Sequence, residues 1–149
     1  MKKTIQELVD VIDNYMSQTI DGDNFNAEQD FEDEIRAVLE EEGFEVLEKR
    51  NVNNIQKMLS EGVGKVEDMI PDIVVDCAEG TMFLELKYRN TIPMYEDDIL
   101  KVQKYVEEDV CYAAGVIFLD TNRMAEKENW KPCAANDEYY YFFDYESLI

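Results

Sequence analysis

The chain contains no histidine. That excludes Ser-His-Asp and Cys-His relays, histidine general bases and most zinc sites. Any catalysis must therefore run on carboxylates, lysine, tyrosine or a hard metal ion. Cysteine is scarce as well: Cys77, Cys111 and Cys133 form no CxxC pair, and an odd count suits a reducing cytosol better than a disulfide scaffold. With three prolines and six glycines, no stretch reads as a linker. Repeats and low-complexity tracts are missing too, so the 149 residues are expected to form one domain. No apolar run approaches the ~18 residues of a membrane span, and no signal peptide opens the chain. A cytoplasmic protein without membrane contact is expected.

Basic residues are the next shortage. There are 14 Lys and Arg against 35 Asp and Glu, a net charge of −21. A uniformly acidic surface repels DNA, RNA and anionic membranes, because nucleic-acid affinity comes largely from cations that neutralise phosphates. The imbalance is local, however. Residues 1–48 carry 15 acids and 3 bases, a net of −12, whereas residues 49–104 carry 10 acids and 8 bases, a net of −2. More than half of the cations lie in the nearly neutral middle segment.

What is present is a sequence of amphipathic elements. Ile5, Leu8, Val9, Ile12, Tyr15, Met16 and Ile20 recur at helical spacing over residues 3–20. A second helix is expected from Asp30 to Glu42, with Phe31, Ile35, Val38 and Leu39 on its buried stripe and Gly43 as its stop. Strands are expected at 44–47, 71–77, 81–88, 114–120 and 138–144. A third long helix is expected at 95–109, with Ile99, Val102 and Val106 inward, and a short one near 55–59 before a loop at 61–65. The order is helix, helix, strand, strand, strand, helix, strand, strand.

The segment from Pro71 to Arg89 gathers the chemistry. Ile73, Val75 and Cys77 share one side of the first strand of a hairpin, and Met82, Leu84 and Leu86 share one side of the second. Burying both sets on one core face fixes the pairing parity. A two-residue turn at Glu79-Gly80 then sets Asp72 opposite Lys87 and diagonal to Glu85, with all three projecting from the other face. Two carboxylates beside a lysine suit a hard divalent cation: Mg²⁺ accepts one or two protein carboxylates, keeps its waters and binds a substrate phosphate. Lys87 is placed to orient a water or to stabilise charge that develops on phosphorus. The plainer reading is a weak surface ion pair on an exposed sheet face.

Pro71-Asp72 followed by Glu85-Leu86-Lys87 resembles the PD-(D/E)XK nuclease superfamily, the restriction-endonuclease-like fold. The stretch FEDEIRAVLEEEGFEV ahead of it is similar to the layout of archaeal-type Holliday junction resolvases. The resemblance implies an α/β domain with an αβββαβ core over 28–120 and a mixed central sheet flanked by helices. An extra amino-terminal helix occupies 1–27 and a final strand and tail 121–149. It implies Mg²⁺- or Mn²⁺-dependent endonuclease hydrolysis of DNA, branched or duplex, commonly by a homodimer, leaving a 5′-phosphate. Asp72, Glu85 and the Leu86 carbonyl would hold the metal, Glu32 would help through water with Glu34 as its competitor, and Lys87 would serve the nucleophile. Gln103 is the candidate auxiliary residue on the following helix, and Lys65, Arg89, Lys101 and Lys104 are the candidate phosphate contacts. The charge of −21 keeps alternatives open: a catalytically inactive binding protein or acidic DNA mimic on the same fold, or an accessory subunit that needs a basic protein partner.

Other signals are weaker. Asp21, Asp23 and Glu32 have the outer spacing of a calcium loop, but Phe25 and Asn26 replace a ligand and the turn glycine. Gly62-Val63-Gly64-Lys65 lacks the spacing of a phosphate loop. Tyr139 to Phe143 is expected to be a strand that buries one face, and Glu40-Glu41-Glu42 a solvated helix end set against the helix dipole.

Overall fold

The computed structural model describes residues 2–18, 28–47, 71–88, 92–107, 109, 111–132, 134–135 and 139–147. The expected short helix near 55–59 and the loop at 61–65 lie outside these residues. In chain order the elements are α1 (Ile5–Gln18), α2 (Glu28–Glu41), β1 (Glu45–Val46), β2 (Ile73–Asp76), β3 (Thr81–Tyr88), α3 (Ile92–Glu107), β4 (Ala113–Asp120), α4 (Met124–Lys127), β5 (Ala134–Ala135) and β6 (Tyr140–Ser147). Six strands form one mixed sheet in the order β1-β2-β3-β4-β6-β5. Only the β3–β4 pair is parallel, and α3 makes the crossover between them. No helix among the described residues is long and apolar enough to cross a membrane.

Local chemistry explains the helix boundaries. Thr4 and Glu7 cap α1 reciprocally: the Glu7 amide donates to the Thr4 hydroxyl at 3.1 Å, and the Thr4 amide donates to the Glu7 carboxylate at 3.5 Å. Gly43, at φ +91°, ends α2 in the left-handed region, where the Phe44 amide turns back to the Leu39 carbonyl at 3.0 Å.

The sheet separates two cores. One lies under α1 and α2, where Leu8, Ile12, Met16, Phe31, Ile35 and Leu39 meet Ile73, Val75, Met82, Leu84 and Leu86. The other lies under α3, where Tyr95, Val102 and Tyr105 meet Val74, Phe83, Val116, Phe118 and Phe142. Both faces of the central strands are therefore covered, and β4 is buried along its whole length.

Three expectations need correction. The hairpin register is shifted by two: Ile73 pairs with Leu84 and Asp76 with Thr81. The turn residues are Ala78-Glu79, closed by reciprocal bonds between Cys77 and Gly80 at 2.9 and 3.2 Å. Gly80 is not a turn-tip glycine. It sits at φ +155°, and a Cβ there would lie 2.7 Å from the Cβ of Tyr112, so the absent side chain serves a close approach. The second concerns α3: Val102 and Val106 are inward as expected, but the buried stripe also takes in Tyr95, Asp98 and Tyr105, and Ile99 only flanks it. The third is β6, which extends to Ser147 rather than ending at Asp144. The short elements α4 and β5 were not expected.

Candidate functional site

Alternation along β3 sends Met82, Leu84, Leu86 and Tyr88 into the core under α1 and α2, and Phe83, Glu85 and Lys87 toward α3. Continuing the observed register one step past Ile73↔Leu84 brings Asp72 level with Glu85 and leaves Lys87 diagonal to it. The sequence expectation had the two partners exchanged. The parity is unaffected, because a shift of two residues preserves the face.

Pro71 shapes what happens next. Cys77 and Gly80 exchange both of their backbone bonds, so Ile73 and Leu84 form a bonded pair as well, and a continued ladder would join residue 71 to Leu86. Proline has no N–H to offer, and the ladder stops. The Leu86 amide instead donates to Asp72 Oδ2 at 2.8 Å, and the Leu86 carbonyl faces the place where Pro71 has no donor to give. The Asp72 side chain thus takes over from the missing strand. Its backbone is fixed from the other side by Arg36 on α2, which donates to the Asp72 carbonyl at 3.2 Å and the Leu47 carbonyl at 2.9 Å.

Helices complete the cluster from both sides. From α2, Glu28 and Glu32, one turn apart, line a cavity of about 90 Å³ with Gln29 and Asp72. Gln29 donates to Glu32 at 2.6 Å. From α3, the buried Asp98 pairs with Lys87 at 3.3 Å and with Lys101 at 3.7 Å. Lys101, expected as a phosphate contact, is thereby drawn toward the site. Glu34 projects elsewhere, accepting from the Tyr15 hydroxyl at 2.8 Å. At about 100° per residue, Gln103 lies about 140° around α3 from Asp98, whereas Tyr105 lies about 20° from it. Gln103 and Lys104 are both half-buried, and no hydrogen bond or ion pair among the described residues joins either to the acids. Lys65 and Arg89 lie outside the described residues.

The electrostatics follow from burial. Glu85 is 4% exposed, and desolvation, reinforced by the Asp72 carboxylate, pushes its pKa up to about 9. Desolvation also raises Asp72, against the opposing Leu86 N–H, and it raises Glu28. Burial works to lower the Lys87 pKa, but the Asp98 and Glu28 carboxylates outweigh it and the net shift is upward. Lys87 is therefore held as a cation at neutral pH. It can orient or stabilise charge and has no lone pair for base chemistry.

Two oxygens mark where a cation would be welcome. Glu85 Oε1 and Glu28 Oε1 are buried without a hydrogen-bond partner among the described residues, and unpaired buried acceptors carry a desolvation cost. The donors are hard oxygens of the kind Mg²⁺ and Mn²⁺ take. Among the described residues no three carboxylates or thiolates form a ready cation cage. Asp72, Glu85 and the Leu86 carbonyl are therefore a partial donor set, the kind Mg²⁺ completes with its own waters and a phosphate oxygen.

Sequence reasoning missed Glu28 and Asp98. Glu28 lies one turn before Glu32 on the same helix face, a spacing visible in the sequence. Asp98 lay hidden in Glu96-Asp97-Asp98, which looks like a solvated run. Its distance of three from Tyr95, four from Val102 and seven from Tyr105 is the signal that it belongs to the inward stripe. Compared with known proteins, the chain matches no family model, no curated protein and no solved structure.

Proposed function

We propose that this protein is a divalent-metal-dependent DNA endonuclease on a restriction-endonuclease-like αβββαβ core, with α2, β1, β2, β3, α3 and β4 as its parts. One observation carries the reading: Asp72 and Glu85 stand level on one face of a hairpin that Pro71 interrupts, with Lys87 diagonal to Asp72 and the Leu86 amide bonded to the Asp72 carboxylate. A weak surface ion pair does not account for a Glu85 that is almost wholly buried.

Mg²⁺ or Mn²⁺, held by Asp72, Glu85 and the Leu86 carbonyl, would polarise the scissile phosphate and acidify a bound water. The chain's own residues do the rest. Glu28 and Glu32 hold the outer edge of the metal pocket and accept from water. Lys87, kept protonated, would stabilise the charge on the phosphoryl oxygens as a water oxygen bonds to phosphorus and the bond to the 3′ oxygen breaks. The water's proton would pass to the Glu28 carboxylate, and the 3′ oxygen would take a proton from solvent. Asp98 fixes the Lys87 ammonium by an ion pair that Lys101 shares. Arg36 is a positioning residue for Asp72.

A second reading is favoured by the charge of −21 and by the Lys87–Asp98 pair, which already satisfies the ammonium. In it the same fold is an inactive acidic binding protein, or a subunit that cuts only beside a basic partner. Thermal melts against Mg²⁺ and Mn²⁺ separate the two. The enzyme predicts a metal-dependent rise in Tm and nicking of supercoiled or branched DNA, both lost in Asp72→Ala and the nicking alone lost in Lys87→Ala. Equal nicking by wild type and both variants would identify a contaminant and remove the endonuclease reading. No metal response, with no cleavage in any divalent ion, would leave the inactive fold.

A further inference from the structure

Between α1 and α2 lies a groove of about 490 Å³ that shares no lining residue with the cavity beside Asp72. Its floor is apolar and half-buried, made by Val11, Tyr15 and Val38, and its rim is Asp10, Glu34, Glu41 and Glu42, all exposed. We propose that this groove is the docking site for a basic amphipathic segment of a protein partner, taken apolar side down with its Lys and Arg against the rim.

Three observations point to a cationic, amphipathic occupant. First, among the described residues the rim has no internal counter-charge. Residues 1–48 contain three bases, and each is engaged elsewhere: Lys2 with Asp76 at 2.6 Å, Lys3 over the Phe44 ring, and Arg36 on the Leu47 and Asp72 carbonyls. Secondly, the acids stand where they harm the fold. Glu40 and Glu41 close α2 and Glu42 follows it, with no basic residue in the last turn. Carboxylates at a helix C-terminus oppose the macrodipole, and a cation there is favourable. An arrangement that breaks a local rule without internal compensation marks a place where something outside the fold supplies it. Thirdly, an apolar floor distinguishes the groove from a merely solvated acidic face. Tyr15 spans it and is held by its hydroxyl bond to Glu34, so a ledge for aliphatic side chains already exists. Nucleic acid is excluded from this groove by charge. A second copy of the chain is disfavoured, because it too carries −21.

The probe is a 14-residue helical Lys/Leu peptide of about two-faced composition, titrated into the full chain at low salt. Its controls are an all-polar peptide of equal charge and a Glu/Leu peptide. Binding of the Lys/Leu peptide alone is expected, with amide shift changes confined to α1 and α2. The triple variant E34Q/E41Q/E42Q should weaken it by roughly tenfold. The triple variant E107Q/E128Q/E146Q, which removes equal charge from exposed positions elsewhere, should change it by less than about twofold. E41K/E42K separates function from structure: it should raise Tm by about 2–4 °C through the helix dipole while abolishing peptide binding. Equal weakening by the two triple variants, or equal binding of the all-polar peptide, would reduce the groove to non-specific charge and overturn the proposal. A concentration-dependent dimer in sedimentation that E34Q/E41Q/E42Q strengthens would assign the groove to self-association instead and overturn it as well.

Discussion

The two faces of β3 are built from alternate residues of one strand and behave differently. Toward α1 and α2 it offers Met82, Leu84, Leu86 and Tyr88, all buried in a dry core. Toward α3 it offers Phe83, Glu85 and Lys87, so that the apolar packing ends at Phe83 and charge begins one pleat later. The first face holds the fold together. The second gives up apolar burial to keep Glu85, Lys87 and Asp98 together out of water. Burying charge is costly unless it is paired, and only Lys87 and Asp98 are paired here. Glu85 is left to a proton or a metal.

The sharpest way to break that contrast is to damage the dry face. Leu84→Ala removes a fully buried side chain and should destabilise the fold by about 3 kcal/mol, lowering Tm by about 6–12 °C. Glu85→Leu, one residue along, should leave Tm unchanged or higher in metal-free buffer and remove any metal-dependent rise. If the two substitutions cost the same, the faces are not different in kind.

The pH dependence sharpens the same contrast. The Glu85 carboxyl titrates ordinarily near 4.5 and in the fold at about 9. Between these values the folded state holds a proton that the unfolded chain has released, so stability falls as pH rises through the window. Wild type should lose on the order of 5 kcal/mol between pH 5 and pH 9 from this group, followed by denaturant melts. Glu85→Gln should flatten most of that slope, leaving the smaller part due to Asp72 and Glu28, which burial shifts in the same direction. An unchanged slope in the variant would mean that Glu85 is solvated.

Asp98 tests the pairing itself. Asp98→Asn leaves the largely buried Lys87 ammonium without its partner and should cost about 1–2 kcal/mol. Asp98→Asn with Lys87→Met should recover most of that, giving a coupling near 1 kcal/mol in a double-mutant cycle. Additive losses would show the pair to be incidental.

How far the sequence led is best judged at these residues. The extent of β3 and the face shared by Asp72, Glu85 and Lys87 were legible, because apolar alternation in two strands leaves one parity. The exact register was not. Glu79-Gly80 looks like a hairpin tip, whereas Gly80 is needed because Tyr112, more than thirty residues later in the chain, packs against it. Glu32 was legible as the α2 acid of the cluster from the layout the resemblance implies, and it shares a cavity with Glu28 and Asp72, while its rival Glu34 belongs to the groove between α1 and α2. Asp98 was not, since an acid on a buried stripe resembles an error of phase until its lysine is seen across from it. Nor was the inward turn of Lys101, which a buried partner on its own helix sets.

The smallest effect concerns Arg36, where the apolar face of α2 meets the polar face of the hairpin. Its guanidinium joins the carbonyls of Leu47 and Asp72. Arg36→Lys keeps the charge but replaces a planar fork by a single ammonium, which cannot reach both acceptors in the same geometry. One neutral acceptor is lost at a half-buried position, so the cost should be about 0.5–1 kcal/mol, at the edge of what a melt resolves. Amide exchange resolves it better. The Leu86 N–H is protected by the Asp72 carboxylate rather than by a strand, so loosening the Asp72 backbone should raise its exchange rate by about two- to fivefold. Amides of β4, which is held on both sides by full-length partners, should keep their rates. Equal acceleration at both places would mean that Arg36 only stabilises the domain, and that Asp72 holds its position without it.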